Sequence, residues 1–240
     1  MSDPLLEKGL RKALAEPAAR VRRLALADGR VFWLKRVERL QGRLRLQKGD
    51  PVEAFQAERE GLRALDAAGL PVATVAAEGP DWVLMPDAGP VLPEVVADAG
   101  RGEAEKLRAF ARAGRALGLL HWAGMAHGRP AVRDVCWDGR EARFIDLERF
   151  RHARRAEFWQ AADVVMFAQT AFTLWPEEPR WLEAALADYA VSAPEGAMGA
   201  ARRLALWLRP LGWLAAGLAR LKPGSRELRA VGLTLARLAR

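Results

Sequence analysis

HGRPAVRDVCWDGREARFIDLE, residues 127–148, is the stretch on which the reading turns. It places Asp134 just before one β-prone run and Asp146 just after a second, with Asp138-Gly139 between them. An Asp-Gly pair between two such runs signals a hairpin. Antiparallel pairing returns the end of the second strand to the start of the first, so two carboxylates converge at one mouth. Hard oxygen ligands so placed suit Mg²⁺ bridging a substrate's phosphates, because that ion takes few protein ligands and keeps waters. The same residues also read as a turn former and a partner of neighbouring arginines, and spacing alone leaves both readings open.

Upstream of this hairpin the chain alternates strand and helix signals. Residues 4–16 predict a short helix, with Asp3 as N-cap and Pro4 at the first helical position. RVRRLAL (20–26) and RVFWLKRVE (30–38) flank Asp28-Gly29 and predict a second hairpin, followed by a loop over 41–51. Residues 52–69 predict a helix with Phe55, Leu62 and Leu65 near one face and Gly69 ending it. Two further strands are expected over 70–79 and 81–89. Downstream, a long helix is expected over 103–124, then helices over 157–174, 178–191, 198–219 and 225–239, with breaks at Pro176, Pro194, Pro210 and Pro223-Gly224. The expectation is an α+β chain of two lobes: residues 1–89 as an antiparallel sheet with one helix, and residues 90–240 as a helical lobe. The joint falls near residues 86–92.

Charge is unevenly spread over the 240 residues. The net charge is +8, and residues 201–240 hold nine bases against one acid, Glu227, which leaves residues 1–200 balanced at 29 bases and 29 acids. Residues 200–240 therefore read as a basic amphipathic extension, and the neutral body excludes a chain that binds nucleic acid throughout. Within the extension, 202–221 interleaves leucines and two tryptophans with arginines. It reads either as an interfacial helix for an anionic membrane or as the completion of the helical lobe. One cysteine, Cys136, excludes a disulfide framework and a cysteine-based zinc site. The N-terminus has no apolar signal-peptide core, and no run of about 18 apolar residues occurs. The expected place is the cytoplasm, with peripheral contact at the inner membrane face through 202–221.

Lys35 ends the apolar strand VFWL in a chain with only six lysines. A flexible ammonium there reaches a bound phosphate as a point charge, or else snorkels to water. Glu58 on the following helix could hold Lys35 in place, with Glu60 and Glu53 as rivals.

The order of Lys35, Glu58, the link LMPDAG (84–89), H-G-x-x-x-x-x-D (127–134) and I-D-L-E (145–148) resembles the protein-kinase-like fold. The wording is most similar to the bacterial lipopolysaccharide core (Kdo/heptose) kinases and the aminoglycoside phosphotransferases, through LHWAGMAHGR (120–129), FIDLE (144–148) and GLPVATV (69–75). The resemblance covers roughly residues 20–170. It implies ATP and Mg²⁺ as cofactors, with Lys35 on the nucleotide's α/β-phosphates, Glu58 as its ion-pair partner and Asp146 as the metal-binding aspartate. Asp134 falls where the family has a metal-binding asparagine. The backbone of Met85–Ala88, including Asp87, meets the adenine edge, and His127 supports the loop. The implied acceptor is a saccharide or a lipid-linked small molecule.

Two departures stand against the family pattern. Its catalytic aspartate, two residues after the histidine, is Arg129 here, and Pro130 follows. Arginine cannot serve as a general base, a role worth on the order of 10²–10⁴-fold. Phosphoryl transfer rests mainly on positioning and electrostatics, which leaves three possibilities. Asp134 or Glu148 receives the proton, Arg129 stabilises the transferring phosphoryl group, or the chain is a nucleotide-binding pseudokinase with a regulatory or scaffolding role in envelope biogenesis. The second departure is the missing G-x-G-x-x-G loop, since RRLALADGRV offers only Gly29.

Overall fold

The structure is a computed structural model that describes residues 3–37, 51–147, 149, 151–152 and 156–240. The loop expected over 41–51 lies almost wholly outside the described residues, as does Glu148. The chain opens with α1 (Pro4–Ala15), where the Asp3 side chain accepts from the Leu6 N–H at 3.1 Å and caps the helix. Then come β1 (Val21–Ala25), β2 (Val31–Arg36), α2 (Pro51–Ala67), β3 (Ala77–Glu78) and β4 (Trp82–Pro86). The four strands form one antiparallel sheet in the order β1-β2-β4-β3.

Alternation along β2 assigns its side chains to two faces. Phe32 and Leu34 join Leu84 against the apolar side of α1, which supplies Leu6, Leu10 and Leu14. Trp33 and Lys35 point to the other face, where α2 packs through Phe55, Leu62 and Leu65. Arg59 and Arg63 of α2 pair with Glu78 of β3 and hold the helix against the sheet edge.

The strand expected over 70–79 shortens to β3. Pro71 cannot donate to a ladder, and the segment before β3 turns instead to the second hairpin. The Phe144 N–H donates to the Pro71 carbonyl at 3.0 Å, and the Ala73 N–H donates to the Phe144 carbonyl at 3.1 Å. A second tie follows β4, in a link that begins at Asp87 and leads into the short helix α3 (Leu92–Ala97), which the sequence reading did not expect. In this link Gly89 has φ +89°, and a Cβ there would sit 2.2 Å from the Trp137 carbonyl. Only glycine allows so close a pass.

The helical body starts with α4 (Glu103–Trp122). After the short strand β5 (Met125–Ala126) come β6 (Val135–Trp137), β7 (Ala142–Phe144) and β8 (Arg151–His152). The helices α5 (Ala156–Leu174), α6 (Arg180–Ser192), α7 (Ala197–Trp207), α8 (Arg209–Leu221) and α9 (Arg226–Leu238) complete it. Phe110 of α4 packs edge-on against Trp175 and stacks on Trp181, at ring distances of 5.4 and 5.8 Å.

Residues 200–240 are divided rather than a uniform extension. Ala200, Ala201 and Ala205 of α7 and Ala230, Leu235 and Leu238 of α9 belong to the main core. The helix expected over 198–219 breaks at Leu208, and Pro210 sits in the first turn of α8. On α8 only Ala215 is buried, while Leu211, Trp213, Leu214, Leu218 and Leu221 are exposed.

Candidate functional site

Between the sheet and the β6–β7 hairpin lies a cavity of about 370 Å³, lined among others by Trp33, Lys35, Met85, Asp87, Asp134 and Asp146. Lys35 is placed by the alternation of β2, and its stem is buried against the cavity wall. Its Nζ donates to Glu58 Oε1 at 2.7 Å and lies 2.6 Å from Oε2. Of the three acids weighed on α2, Glu58 is the buried one that reaches Lys35, about one and two turns ahead of the core positions Leu62 and Leu65. The ammonium also reaches across the cavity to Asp146 Oδ1 at 3.2 Å.

The hairpin delivers the two aspartates as its sequence implied. Val135 pairs with Phe144, and the Ile145 N–H donates to the Asp134 carbonyl at 2.9 Å. Asp146 itself has φ +63°, a left-handed backbone that is uncommon outside glycine and concentrates at functional sites. Burial alone would raise its pKa, but Lys35 and then Arg129 outweigh burial and hold the carboxyl below its ordinary value. Asp134 goes the other way. Burial, with the charge of Asp146 added, pushes it up to about 6. Its Oδ2 is buried with no hydrogen-bond partner. A buried carboxylate oxygen left without a partner beside a second carboxylate fits a small hard cation, which would satisfy both. Among the described residues no group of three or more His, Cys, Asp or Glu side chains that could hold a metal ion occurs.

Arg129 stands at the mouth of this site with its side chain 38% exposed, and its Nη2 lies 3.5 Å from Asp146 Oδ2. Asp146 is thus bracketed by Lys35 on one oxygen and Arg129 on the other. Asp87 lines the cavity, and its Oδ1 accepts from Trp33 Nε1 at 2.6 Å. Met85 lies beside it on β4.

His127 is fully buried, packs edge-on against Phe144 at 4.9 Å, and burial pushes its pKa down. The loop it begins is held from α5, a helix expected over 157–174 whose polar residues the sequence reading passed over. Asp163 of α5 accepts from the His127 N–H at 2.6 Å and from the Gly128 N–H at 2.9 Å, and its Oδ2 lies 3.2 Å from His121 Nε2. Tyr189 completes the cluster at 2.8 Å from His121 Nδ1, and Gln160 donates to the His121 and Met125 carbonyls. A signal was present: α5 is strongly apolar, and Gln160 and Asp163 share one face at i and i+3.

Arg20 was missed as well. Val21 pairs with Lys35, whereas Ala25 pairs with Val31, so the Asp28-Gly29 turn lies at the far end of the β1–β2 hairpin. The segment that enters β1 passes the cavity, and Arg20 lines it. Gly29 therefore has no part in the site.

No protein-family model matches the chain. A curated relative from Haemophilus influenzae, described only as an uncharacterised protein, is 29% identical over 140 residues, or 58% of each chain. The chain thus matches little more than half the length of that relative. Among solved structures, the bifunctional kinase-methyltransferase WbdD is 18% identical with a TM-score of 0.46, over 73% of this chain and 43% of that one. WbdD with a kinase inhibitor gives 17% and 0.46, over 75% and 45%. A MAP kinase from Leishmania major gives 13% and 0.46, over 84% and 71%. In this chain itself, a four-stranded antiparallel sheet carries a lysine tied to a helix carboxylate, and a single link leads to a helical body whose hairpin aspartate meets that lysine. The chain joins a small antiparallel sheet to a helical body, a two-lobed α+β fold that resembles the protein-kinase-like one.

Proposed function

We propose that the chain is an ATP- and Mg²⁺-dependent phosphotransferase acting on a saccharide or lipid-linked acceptor such as lipopolysaccharide core. The observation that carries this reading is the position of Lys35 Nζ, within reach of both the buried Glu58 and Asp146 at the wall of one cavity. Glu58 would keep the ammonium extended toward the nucleotide's phosphates, and the backbone of Met85–Ala88 would line the adenine edge. Asp134 and Asp146 would hold Mg²⁺, which when bound neutralises and orients the phosphates. Arg20 at the strand entry offers a side-chain cation where a glycine-rich loop would offer backbone N–H groups. The exposed apolar face of α8, flanked by Arg209, Arg220 and Lys222, supports peripheral docking on an anionic membrane, where a lipid-linked acceptor resides.

The test is incubation of the purified protein with γ-labelled ATP, Mg²⁺ and lipopolysaccharide precursors. Label is expected on the acceptor and is expected to vanish for Lys35→Met. The contact of Arg129 with Asp146 favours one other reading, a nucleotide-binding pseudokinase. That reading predicts nucleotide binding with no transfer to any acceptor.

A further inference from the structure

Arg129 extends from a clamped loop to the aspartates of the site. Asp163 fixes the backbone at His127 and Gly128, so the Cα of Arg129 starts from a rigid base. Its guanidinium is 38% exposed and touches Asp146 only at 3.5 Å, the outer limit of a hydrogen bond. So long a contact leaves most of its five donors available for an incoming group. Arg133, 68% exposed, stands 4.0 Å from Asp134. Two partly exposed guanidinium groups therefore flank the aspartate pair.

A neutral alcohol gains little from that arrangement. It must lose a proton to attack, and a guanidinium cannot take one. An oxyanion gains twice. It already carries the attacking lone pair, and a planar guanidinium pairs with phosphate or carboxylate through two parallel hydrogen bonds. It also offsets the repulsion between two anions that must meet.

We propose that the acceptor attacks through an oxyanion, a phosphate monoester or a carboxylate, which Arg129 holds against the nucleotide's γ-phosphate; this rests on the phosphotransferase reading above. In the step, the acceptor oxygen forms a bond to the γ-phosphorus as the bond to the β,γ-bridging oxygen breaks. The electron pair leaves on ADP, and no proton is transferred. The products are a diphosphate from a phosphomonoester or an acyl phosphate from a carboxylate.

The experiment uses the full chain with Mg²⁺ and γ-labelled ATP, offered glycerol 1-phosphate, acetate with hydroxylamine as trap, or glycerol. Binding of ADP–Mg²⁺ is measured alongside by calorimetry. Label in a diphosphate formed on glycerol 1-phosphate, or acetohydroxamate formed from acetate, in excess of label on the hydroxyls of glycerol or glycerol 1-phosphate supports the inference, and the two arms distinguish the sources. Arg129→Gln should then lower that transfer on the order of 10²-fold, as loss of one charge-stabilising donor does. Arg129→Lys, which keeps the charge without the fork, should fall between, and it serves if the glutamine variant does not fold. Transfer to glycerol at an equal or higher rate overturns the inference and leaves the phosphotransferase reading standing. ADP binding without transfer to any probe overturns it in favour of a pseudokinase. No ADP binding overturns the nucleotide reading and the inference with it.

Discussion

Burial and the facing charge of Asp146 push the Asp134 carboxyl up to about 6. In the unfolded chain an aspartate titrates near 4, so between about pH 4 and 6 the folded protein holds a proton that the unfolded chain has released. Stability therefore falls as pH rises through that window. In metal-free buffer, urea unfolding at pH 4 and pH 7 should show a drop of up to about 3 kcal/mol from this residue. Asp134→Asn should remove that component, and an unchanged pH profile in the variant would contradict the burial of Asp134 as a lone carboxylate. The Lys35–Glu58 pair makes a second demand. Glu58→Gln leaves a buried ammonium with a weaker partner, and removing one member of such a pair costs about 3 kcal/mol or more, read as a lower Tm. Lys35, Asp134 and Asp146 were legible because the constraints were local: a period-two strand set the face of Lys35, and an Asp-Gly turn set the convergence of Asp134 and Asp146. Glu58 was separated from Glu53 and Glu60 only by the family resemblance. Arg20 was not legible, because which end of the first hairpin borders the site depends on the β2–β4 pairing and not on either strand alone.

At the scale of elements, the loop at residues 127–129 is held by a helix thirty-odd residues further on. Two buried backbone N–H groups end on Asp163. Asp163→Ala leaves both without acceptors, at about 1–3 kcal/mol each. Phosphoryl transfer should fall further than that loss of stability explains, because Arg129 sits one residue beyond the clamp. Urea titration and turnover measured on the same variant separate the two effects. Gly128 is held to φ +89°, and a Cβ there would lie 2.0 Å from the Arg149 carbonyl. Gly128→Ala should therefore destabilise by more than about 2 kcal/mol, a shift visible in Tm. None of this clamp was read from the sequence. Asp163 is one polar position in an apolar helix, and the packing of α5 under the loop gives it a role. The first half of segment 70–79 failed for a related reason: the backbone partners of Pro71 and Ala73 are on the helical-lobe hairpin, a contact too distant in sequence for propensity to foresee.

For the whole molecule, the basic character located in residues 201–240 resolves into two kinds of helix. α7 and α9 bury alanines and leucines in the core, whereas α8 turns Trp213 and Leu214 to solvent at 69% and 60% exposure. An apolar face of that size on one helix marks a contact surface more often than it marks a solvated one. Among the described residues no helix is long and apolar enough to cross a membrane; peripheral docking through α8 belongs to the proposed function. A Trp207→Ala, Trp213→Ala double variant should keep its stability to within about 0.5 kcal/mol, since both side chains are exposed. It should lose sedimentation with vesicles containing anionic lipid, and retained binding would remove α8 from the account.

The central claim is that the cavity between sheet and hairpin receives a nucleotide through Lys35 and a metal held by Asp134 and Asp146. Calorimetric titration with ADP, in the presence and absence of Mg²⁺, tests it most directly on wild-type protein and on Asp146→Asn. Mg²⁺-dependent binding by the wild type, weakened at least about tenfold in the variant, is the predicted result. Absence of binding, or binding indifferent to both Mg²⁺ and the substitution, would contradict it.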